Sequence, residues 1–465
     1  MAFIIASNTK SDRTIASISD ATMDIASKLE AFPTFDILHY ISTLLAVCTY
    51  AALIIISTPK TGPASLVRYS SPAIVLTVGK QLFREASRVS GSSGHRSLTL
   101  ALTALFILQC CNFLVLTRLD ADDLAKKNVF RASDNAVYKV YRVVCLIFNV
   151  RGIGTPWQAK HLSGFPRFYQ HEKRREPTAI WFIFRQSLIL AWQCLLLDII
   201  YTSSLSTPKE DTQRLFGPGT EYMYLDATAE QWMGRCFVGI IAWVIPGRVS
   251  IDLPYRAISL VSVLFGFTSP QQWPPLFGSI WDAYTIRGFW STFWHQYCRW
   301  ALTSISNFIC RDFLRLPRPS IVERYLNISV VFVGSAVVHM AIDSFCWGPP
   351  TKPKPMLPAL AFFGSFVVGI IIEDTVQALC RRITGAKKQD GDDGVPVWHK
   401  LVGYIWVSFW FIMTSSWYLY HNTRLPPDDT WMVPVSVVDT IGMDSAKKAL
   451  LVSGLILRFA VGIEV

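Results

Sequence analysis

NISVVFVGSAVVHMAID, residues 327–343, decides the fold. It is apolar almost throughout, and about 20 such residues in a helix cross the roughly 30 Å hydrocarbon core of a bilayer. One histidine, His339, stands inside it between Val338 and Met340. An ionisable side chain is costly in hydrocarbon and marks either an interhelical hydrogen bond or a functional group. Upstream lies FGSIWDAYTIRGFWSTFWHQYCRW, residues 277–300. Trp281, Trp290, Trp294 and Trp300 fit an interfacial aromatic belt. Asp282, Tyr284, Arg287, His295, Gln296 and Arg299 add polar groups that a belt does not require, so this stretch is a candidate functional site.

The rest of the chain agrees with a bilayer. Of its 465 residues 51% are hydrophobic and 17% charged, against roughly 25% charged in soluble domains. The mean hydropathy is positive. The expectation is an all-α polytopic membrane protein. A net charge of +11 then reflects basic cytoplasmic loops. No basic stripe on a soluble domain and no RNA- or DNA-binding motif is visible, so nucleic acid is not expected as a partner. The ten cysteines form no CxxC and read as small buried hydrophobes, not as a disulfide framework or zinc site. The opening MAFIIASNTKSDR has a five-residue apolar start, short of the 7–15 that a cleavable signal needs. Residues 1–33 read as an arm, and 34–465 as one membrane-embedded domain whose core motif region is 275–345.

Spans are expected at 35–56, 98–117, 180–201, 325–342, 357–379, 401–420 and 446–461, with a weaker one at 65–83 that contains Arg68, Pro72 and Gly79. Residues 232–267 are apolar but interrupted by Pro246-Gly247-Arg248 and Asp252, which allows one broken span or a hairpin. The total is about eight to ten membrane helices around an intramembrane chamber. The loop 118–177 is rich in Lys and Arg and points to the cytoplasm, and within it 136–150 alternates as an interfacial amphipathic helix does. The loop 202–231 is acidic and fits the lumenal side. One crossing at 232–267 would place 269–324 in the cytoplasm. No internal repeat supports a transporter of two similar halves.

Other polar signals are weaker. Asp120, Asp122 and Asp123 resemble a metal cluster, but Lys126 and Lys127 follow closely and a solvated loop accounts for them. Glu373-Asp374 fit an interface or a pair with Arg381, and Arg185-Gln186 could line the chamber or bond another helix. His171-Glu172 lacks HExxH spacing. The sequon Asn327-Ile328-Ser329 opens a span and should be unused.

The pairing of FWSTFWHQ with the later His339 span resembles the membrane-bound O-acyltransferase superfamily. It is most similar to the wax-synthase-like branch and its fungal O-acetyltransferases of secondary metabolism. The matching residues are Phe289, Trp290, Trp294, His295 and, after Gly334-Ser335, His339. Pro275 to Ser279, Asp282-Ala283-Tyr284, Arg287, and the loop motif Arg151-Gly152-Ile153-Gly154 with Trp157 also fit. Many relatives have Asn where this chain has His295.

The resemblance implies transfer of an acyl group, with acetyl-CoA the favoured donor, to a hydroxyl of an apolar terpenoid or polyketide-type metabolite. His339 would be the general base, and His295 would position the acyl group or donate to the oxyanion. Trp290, Trp294, Gln296, Asp282 and Tyr284 would line the substrate, and Arg287 and Arg299 would meet the CoA phosphates. No metal and no bound cofactor is required, acyl-CoA being a co-substrate. The expected location is the endoplasmic reticulum membrane, among lipid. A long-chain wax or sterol ester synthase remains an alternative, because chain length is set by tunnel depth. A membrane terpene cyclase or prenyltransferase, and a transporter, are readings from other classes.

Overall fold

The computed structural model describes residues 34–89, 92–169, 177–346, 357–384, 395–424, 433 and 435–460. The expected N-terminal arm and His171-Glu172 lie outside the described residues. Among those described there are helices and no strand.

The first group is α1 (Thr34–Ser57), α2 (Ser65–Val89), α3 (Ser93–Cys111), α4 (Ala121–Lys126) and α5 (Ala136–Phe148). Arg68 on α2 is wholly buried and closes the end of α1. Its guanidinium donates to the carbonyls of Ile55 at 3.0 Å, Thr58 at 2.6 Å and Leu119 at 2.6 Å. Two of these are carbonyls left without an intrahelical donor at a helix C-terminus. The acidic cluster starts a helix. Asp120 and Asp123 form a capping box on α4, and Lys60 reaches Asp123 at 2.5 Å and Asp120 at 3.5 Å. The hydrogen bond from Lys60 to Asp123 raises the ammonium pKa above its usual value.

Next come α6 (Ala179–Leu205), α7 (Lys209–Phe216), α8 (Ala229–Cys236) and α9 (Arg248–Leu264). α8 runs into α9 through two wide π turns, Phe237–Ile241 and Trp243–Gly247, with helical dihedrals at each junction. Pro246, which has no N–H to donate, sits in the second. The stretch is therefore one broken helix and not a hairpin. At about 1.5 Å per residue it is on the order of 54 Å long, longer than a bilayer core. Its polar residues face α6. Gln193 donates to Asp252 at 2.7 Å, and Arg256 reaches Asp252 and Gln186, each at 2.5 Å. Gln186 thus bonds a neighbouring helix.

The core motif forms α10, a single turn (Ile286–Gly288), and α11 (Arg299–Asn307), followed by α12 (Ile321–Cys346), α13 (Leu357–Thr384), α14 (Val397–Thr423), α15 (Val437–Ile441) and α16 (Met443–Ala460). The sequon lies inside α12, and the Asn327 amide is engaged with Asn307 at 3.2 Å and Ser306 at 3.1 Å.

Among the described residues, six helices are long and apolar enough to cross a membrane: Asp36–Ser57, Ser93–Leu116, Ala179–Leu205, Ala229–Leu264, Ile321–Cys346 and Leu357–Thr384. That is fewer than the eight to ten expected. The segments expected at 65–83, 401–420 and 446–461 do form helices, but they are more polar. α2 carries Arg68, Lys80, Arg84, Glu85 and Arg88, and α16 carries Asp444, Lys447, Lys448 and Arg458. α14 has Trp, Tyr, Ser and Thr where a lipid-facing span has aliphatic residues.

Two large cores result. One joins α1, α2, α3 and α5 with Trp300, Ile342 and Cys346. The other is mostly aromatic and joins the α8–α9 break, the 276–294 stretch, α12, α13 and α14. The two conspicuous histidines lie against this second core.

Candidate active site

The stretch 277–300 is folded by its own backbone and by one buried carboxylate. Glu373 on α13 accepts from the N–H of Ile286 at 2.5 Å, of Arg287 at 3.4 Å, and from the Trp406 indole at 3.0 Å. It thus satisfies the first N–H groups of α10, which have no intrahelical acceptor. The chain continues into a π turn, Phe289–Phe293, and turns extended at Trp294, whose N–H donates to the Phe289 carbonyl at 2.7 Å. The Gly278 N–H donates to the Phe293 carbonyl at 2.8 Å. A Cβ at Gly278 would lie 2.2 Å from the Thr292 carbonyl oxygen, so only glycine allows this approach.

Three indoles and several phenyl rings pack around this stretch. Trp290 lies 4.9 Å from Phe366, 6.3 Å from Phe363 and 6.0 Å from Trp294 between ring centroids. Trp294 stacks on Phe289 at 5.5 Å and meets Trp243 edge-on at 5.2 Å. The π turn of the long helix is therefore pressed against the π turn of the motif. Such wide turns recur at functional sites.

His339 lies on α12 with its ring 4.6 Å from Phe363 of α13 and 6.0 Å from Tyr418 of α14. Its Nδ1 is 2.8 Å from the Ser335 carbonyl oxygen, one turn back. A carbonyl only accepts, so the hydrogen is assigned to Nδ1, and Nε2 carries the lone pair. His295 packs against Phe277 at 6.0 Å, Trp294 at 5.6 Å and Tyr297 at 5.7 Å. Its Nδ1 is buried with no protein partner, as are the Trp290 indole N–H and the Gln296 Oε1. Burial, with a smaller contribution from the nearby His339 ring, pushes the His295 pKa down to about 3, so this imidazole is neutral at physiological pH. Both histidines keep some accessible surface although protein surrounds them.

The other candidates fall into two groups. Gln296 and Arg299 hold the basic loop in place. Gln296 donates to the His161 carbonyl at 2.9 Å, and Arg299 to the carbonyls of Lys160 at 3.1 Å and Ser291 at 2.7 Å. Trp157 stacks on Trp300 at 5.8 Å. Arg151 donates to the carbonyls of Pro274 at 2.8 Å and Pro275 at 2.9 Å. The loop motif therefore fixes the entry to the aromatic stretch. Tyr284 and Arg287 lie elsewhere. Lys400 sits 5.2 Å from the centre of the Tyr284 ring, and Arg287 pairs with Asp374 at 2.8 Å. Asp374 also takes Arg324 at 2.7 Å and Tyr325 at 3.0 Å. Asp374 is eleven residues along α13 from Phe363, about 16 Å in a helix. Asp282 sits half-buried on the turn before α10. The Glu373-Asp374 pair thus serves the motif, and the expected pairing with Arg381 is replaced.

Sequence reasoning missed Phe363, Tyr418 and Asp343. Tyr418 donates to the Asp343 carboxylate at 3.2 Å, across 75 residues of sequence. Asp343 follows His339 by one turn, a spacing that was available to find it. Phe363 and Tyr418 carry no local signal.

Residues 273–365 match the membrane bound O-acyl transferase family. The chain is 81% identical over 443 residues to acetyltransferase TRI7 of Fusarium sporotrichioides, covering 95% of this chain and 100% of that protein. It is 41% identical over 431 residues to acetyltransferase pyr8 of Aspergillus fumigatus, covering 93% and 98%. It is 33% identical over 448 residues to acetyltransferase atnC of Arthrinium sp, covering 94% and 99%. No solved structure matches it.

Proposed function

We propose a mechanism from one premise: this chain belongs to the membrane-bound O-acyltransferase family and is an O-acetyltransferase of the fungal secondary-metabolite type. Acyl transfer displaces the cyclase, prenyltransferase and transporter readings. It is an integral membrane protein, with six helices of membrane-crossing length and apolarity among the described residues.

The donor in this reading is acetyl-CoA, and the acceptor is a hydroxyl on an apolar terpenoid or polyketide-type molecule that arrives from the bilayer. In this reading the two meet in a chamber beside the aromatic side chains of Trp290, Phe363 and Phe366. Nε2 of His339 takes the hydroxyl proton as the acceptor oxygen attacks the thioester carbonyl. The C–O bond forms, the C–S bond breaks, and the proton passes from Nε2 to the departing CoA sulfur. His295, neutral, donates an N–H to the developing oxyanion. Exclusion of water strengthens that hydrogen bond and suppresses hydrolysis.

The observation that carries this reading is the hydrogen bond from His339 Nδ1 to the Ser335 carbonyl at 2.8 Å, which leaves Nε2 as a base. Positioned bases contribute about 10²–10⁴-fold. CoA release by membranes carrying the protein should be followed with acetyl-CoA and a panel of farnesol, cedrol, androsterone, cholesterol and hexadecanol. Acceptor-dependent release should fall by that factor in His339→Ala while the protein still inserts. Normal turnover in that variant would remove His339 from the mechanism.

The endoplasmic reticulum is the membrane this reading favours. α2, α14 and α16 are read as further crossings. The start of α3 meets the end of α12, with Cys346 donating to the Ser93 carbonyl at 3.3 Å. The loop before α8 meets the end of α14, with Arg424 donating to the Gly217 carbonyl at 3.0 Å. The Val438 N–H of α15 meets Asp198 near the end of α6 at 2.9 Å. These contacts support strict alternation of helix direction and nine crossings in all.

A further inference from the structure

His339 does not act alone on its helix, and this deepens the reading of His339 as base. When Nε2 takes the hydroxyl proton, the imidazole becomes a cation among aromatic side chains, far from bulk water. A charge there is costly unless a counter-charge is near. Asp343 lies one turn further on the same face of α12, where i and i+4 side chains are neighbours with Cβ atoms about 6 Å apart. Tyr418 touches both groups. Its ring edge packs on His339 at 6.0 Å and its hydroxyl donates to Asp343 Oδ2 at 3.2 Å. The Tyr418 ring is itself fixed by stacking on Phe362 at 5.6 Å and by packing on Phe363 at 5.8 Å.

Around α12, the described residues of α3, α11 and α14 contain no Asp or Glu. The acid of α2, Glu85, is engaged by Gln81 at 3.0 Å and by His39 at 3.2 Å. The two acids of α13, Glu373 and Asp374, are engaged ten and eleven residues away from Phe363 with Ile286, Arg287 and Arg324.

We propose that Asp343, held by Tyr418, supplies the counter-charge to the His339 imidazolium and so acts as a positioning and electrostatic residue for acetyl transfer. Asp343 takes no proton in this step. The proton goes from the acceptor oxygen to Nε2 and then to the CoA sulfur, and the carboxylate remains an anion throughout.

Asp343→Asn keeps an oxygen for the Tyr418 hydroxyl and removes only the charge. A unit charge about 6 Å away at an effective dielectric constant near 20 is worth on the order of 10²-fold. The test follows initial rates with acetyl-CoA and the panel acceptor that supports turnover, in detergent-purified protein, together with thermal unfolding. Asp343→Asn should lower kcat about 10²-fold with both KM values unchanged. Asp343→Glu should restore most of that loss, and Tyr418→Phe should lower kcat about tenfold. Wild-type kcat in Asp343→Asn would overturn the proposal. A change in KM alone would overturn it, because it would make Asp343 a substrate contact. So would a loss that accompanies a lower unfolding temperature and is not restored by Asp343→Glu. His339→Ala separates the two readings: if it is inactive while Asp343→Asn is normal, only the counter-charge fails.

Discussion

At the scale of single residues, the two histidines have different protonation settings. His339 is oriented by a backbone carbonyl that fixes its tautomer. His295 has no such partner at Nδ1 and is held neutral chiefly by burial. A neutral imidazole and a carboxamide both present an N–H, so in the proposed role Asn can stand in for His295. His295→Asn should keep kcat within about tenfold, whereas His295→Leu should lose about 10²–10³-fold, the usual cost of one oxyanion donor. Comparing kcat for the two variants at constant expression checks this. The sign of the pKa shift gives a second outcome. With its pKa pushed down to about 3, His295 gains no proton between pH 5 and 8. The pH–rate profile over that window should therefore keep its shape in His295→Asn. A lost acid limb would mean that His295, not His339, is the titrating base. His339 and His295 were legible as isolated polar groups in apolar or aromatic surroundings. That Gln296 and Arg299 spend hydrogen-bond donors on the backbone of the 160–161 loop was not, because those acceptors lie 135 and 139 residues away in sequence.

At the scale of the element, the site depends on a backbone packed too tightly for side chains. The π turn at Phe289–Phe293 presents Trp290 and Trp294 to the core and sends His295 out of the helix. Gly278 makes that turn possible by passing against the Thr292 carbonyl. Gly278→Ala would force a shift of backbone and not of a flexible side chain, and should cost several kcal/mol together with acetyl transfer. Gly364 in α13 is the opposite case, because a methyl group added there would meet nothing within 4 Å. Gly364→Ala should be neutral or stabilising by up to about 1 kcal/mol, since alanine is the better helix former. Thermal unfolding of both variants in detergent, run beside the activity assay, checks the contrast. The sequence showed FWSTFWHQ as an aromatic-polar block. It did not show that the block uses a π turn, because that depends on Glu373 from α13 capping its start.

At the scale of the whole molecule, the open quantity is the number of crossings. Nine crossings put the two termini on opposite faces, whereas the six long apolar helices alone would put them on the same face. Single-cysteine labelling with a membrane-impermeant maleimide tests this in sealed microsomes. With nine crossings, cysteines placed at Asp36 and Lys126, on either side of α2, should label from opposite faces, and so should cysteines at Arg382 and Val435, on either side of α14. If only the six long apolar helices cross, each pair labels from one face, and that result would refute nine alternating crossings.

By itself the sequence determined that the chain is helical and lives in a bilayer, because long apolar runs with few charges allow little else. It also marked His339 and His295, because an ionisable side chain in such a setting stands out against its neighbours. Motif resemblance pointed to acyl transfer for the same reason: the unusual residues are few and their order is readable. Only the tertiary structure decided that 232–267 is one broken helix, since Pro246 permits either path and packing against Trp294 and Phe411 selects one. Only it separated Tyr284 and Arg287 from the histidines and put Asp343 and Tyr418 beside His339. Those outcomes rest on contacts between helices far apart in the chain, and hydropathy and periodicity report only how each helix meets its surroundings, not which helix it meets.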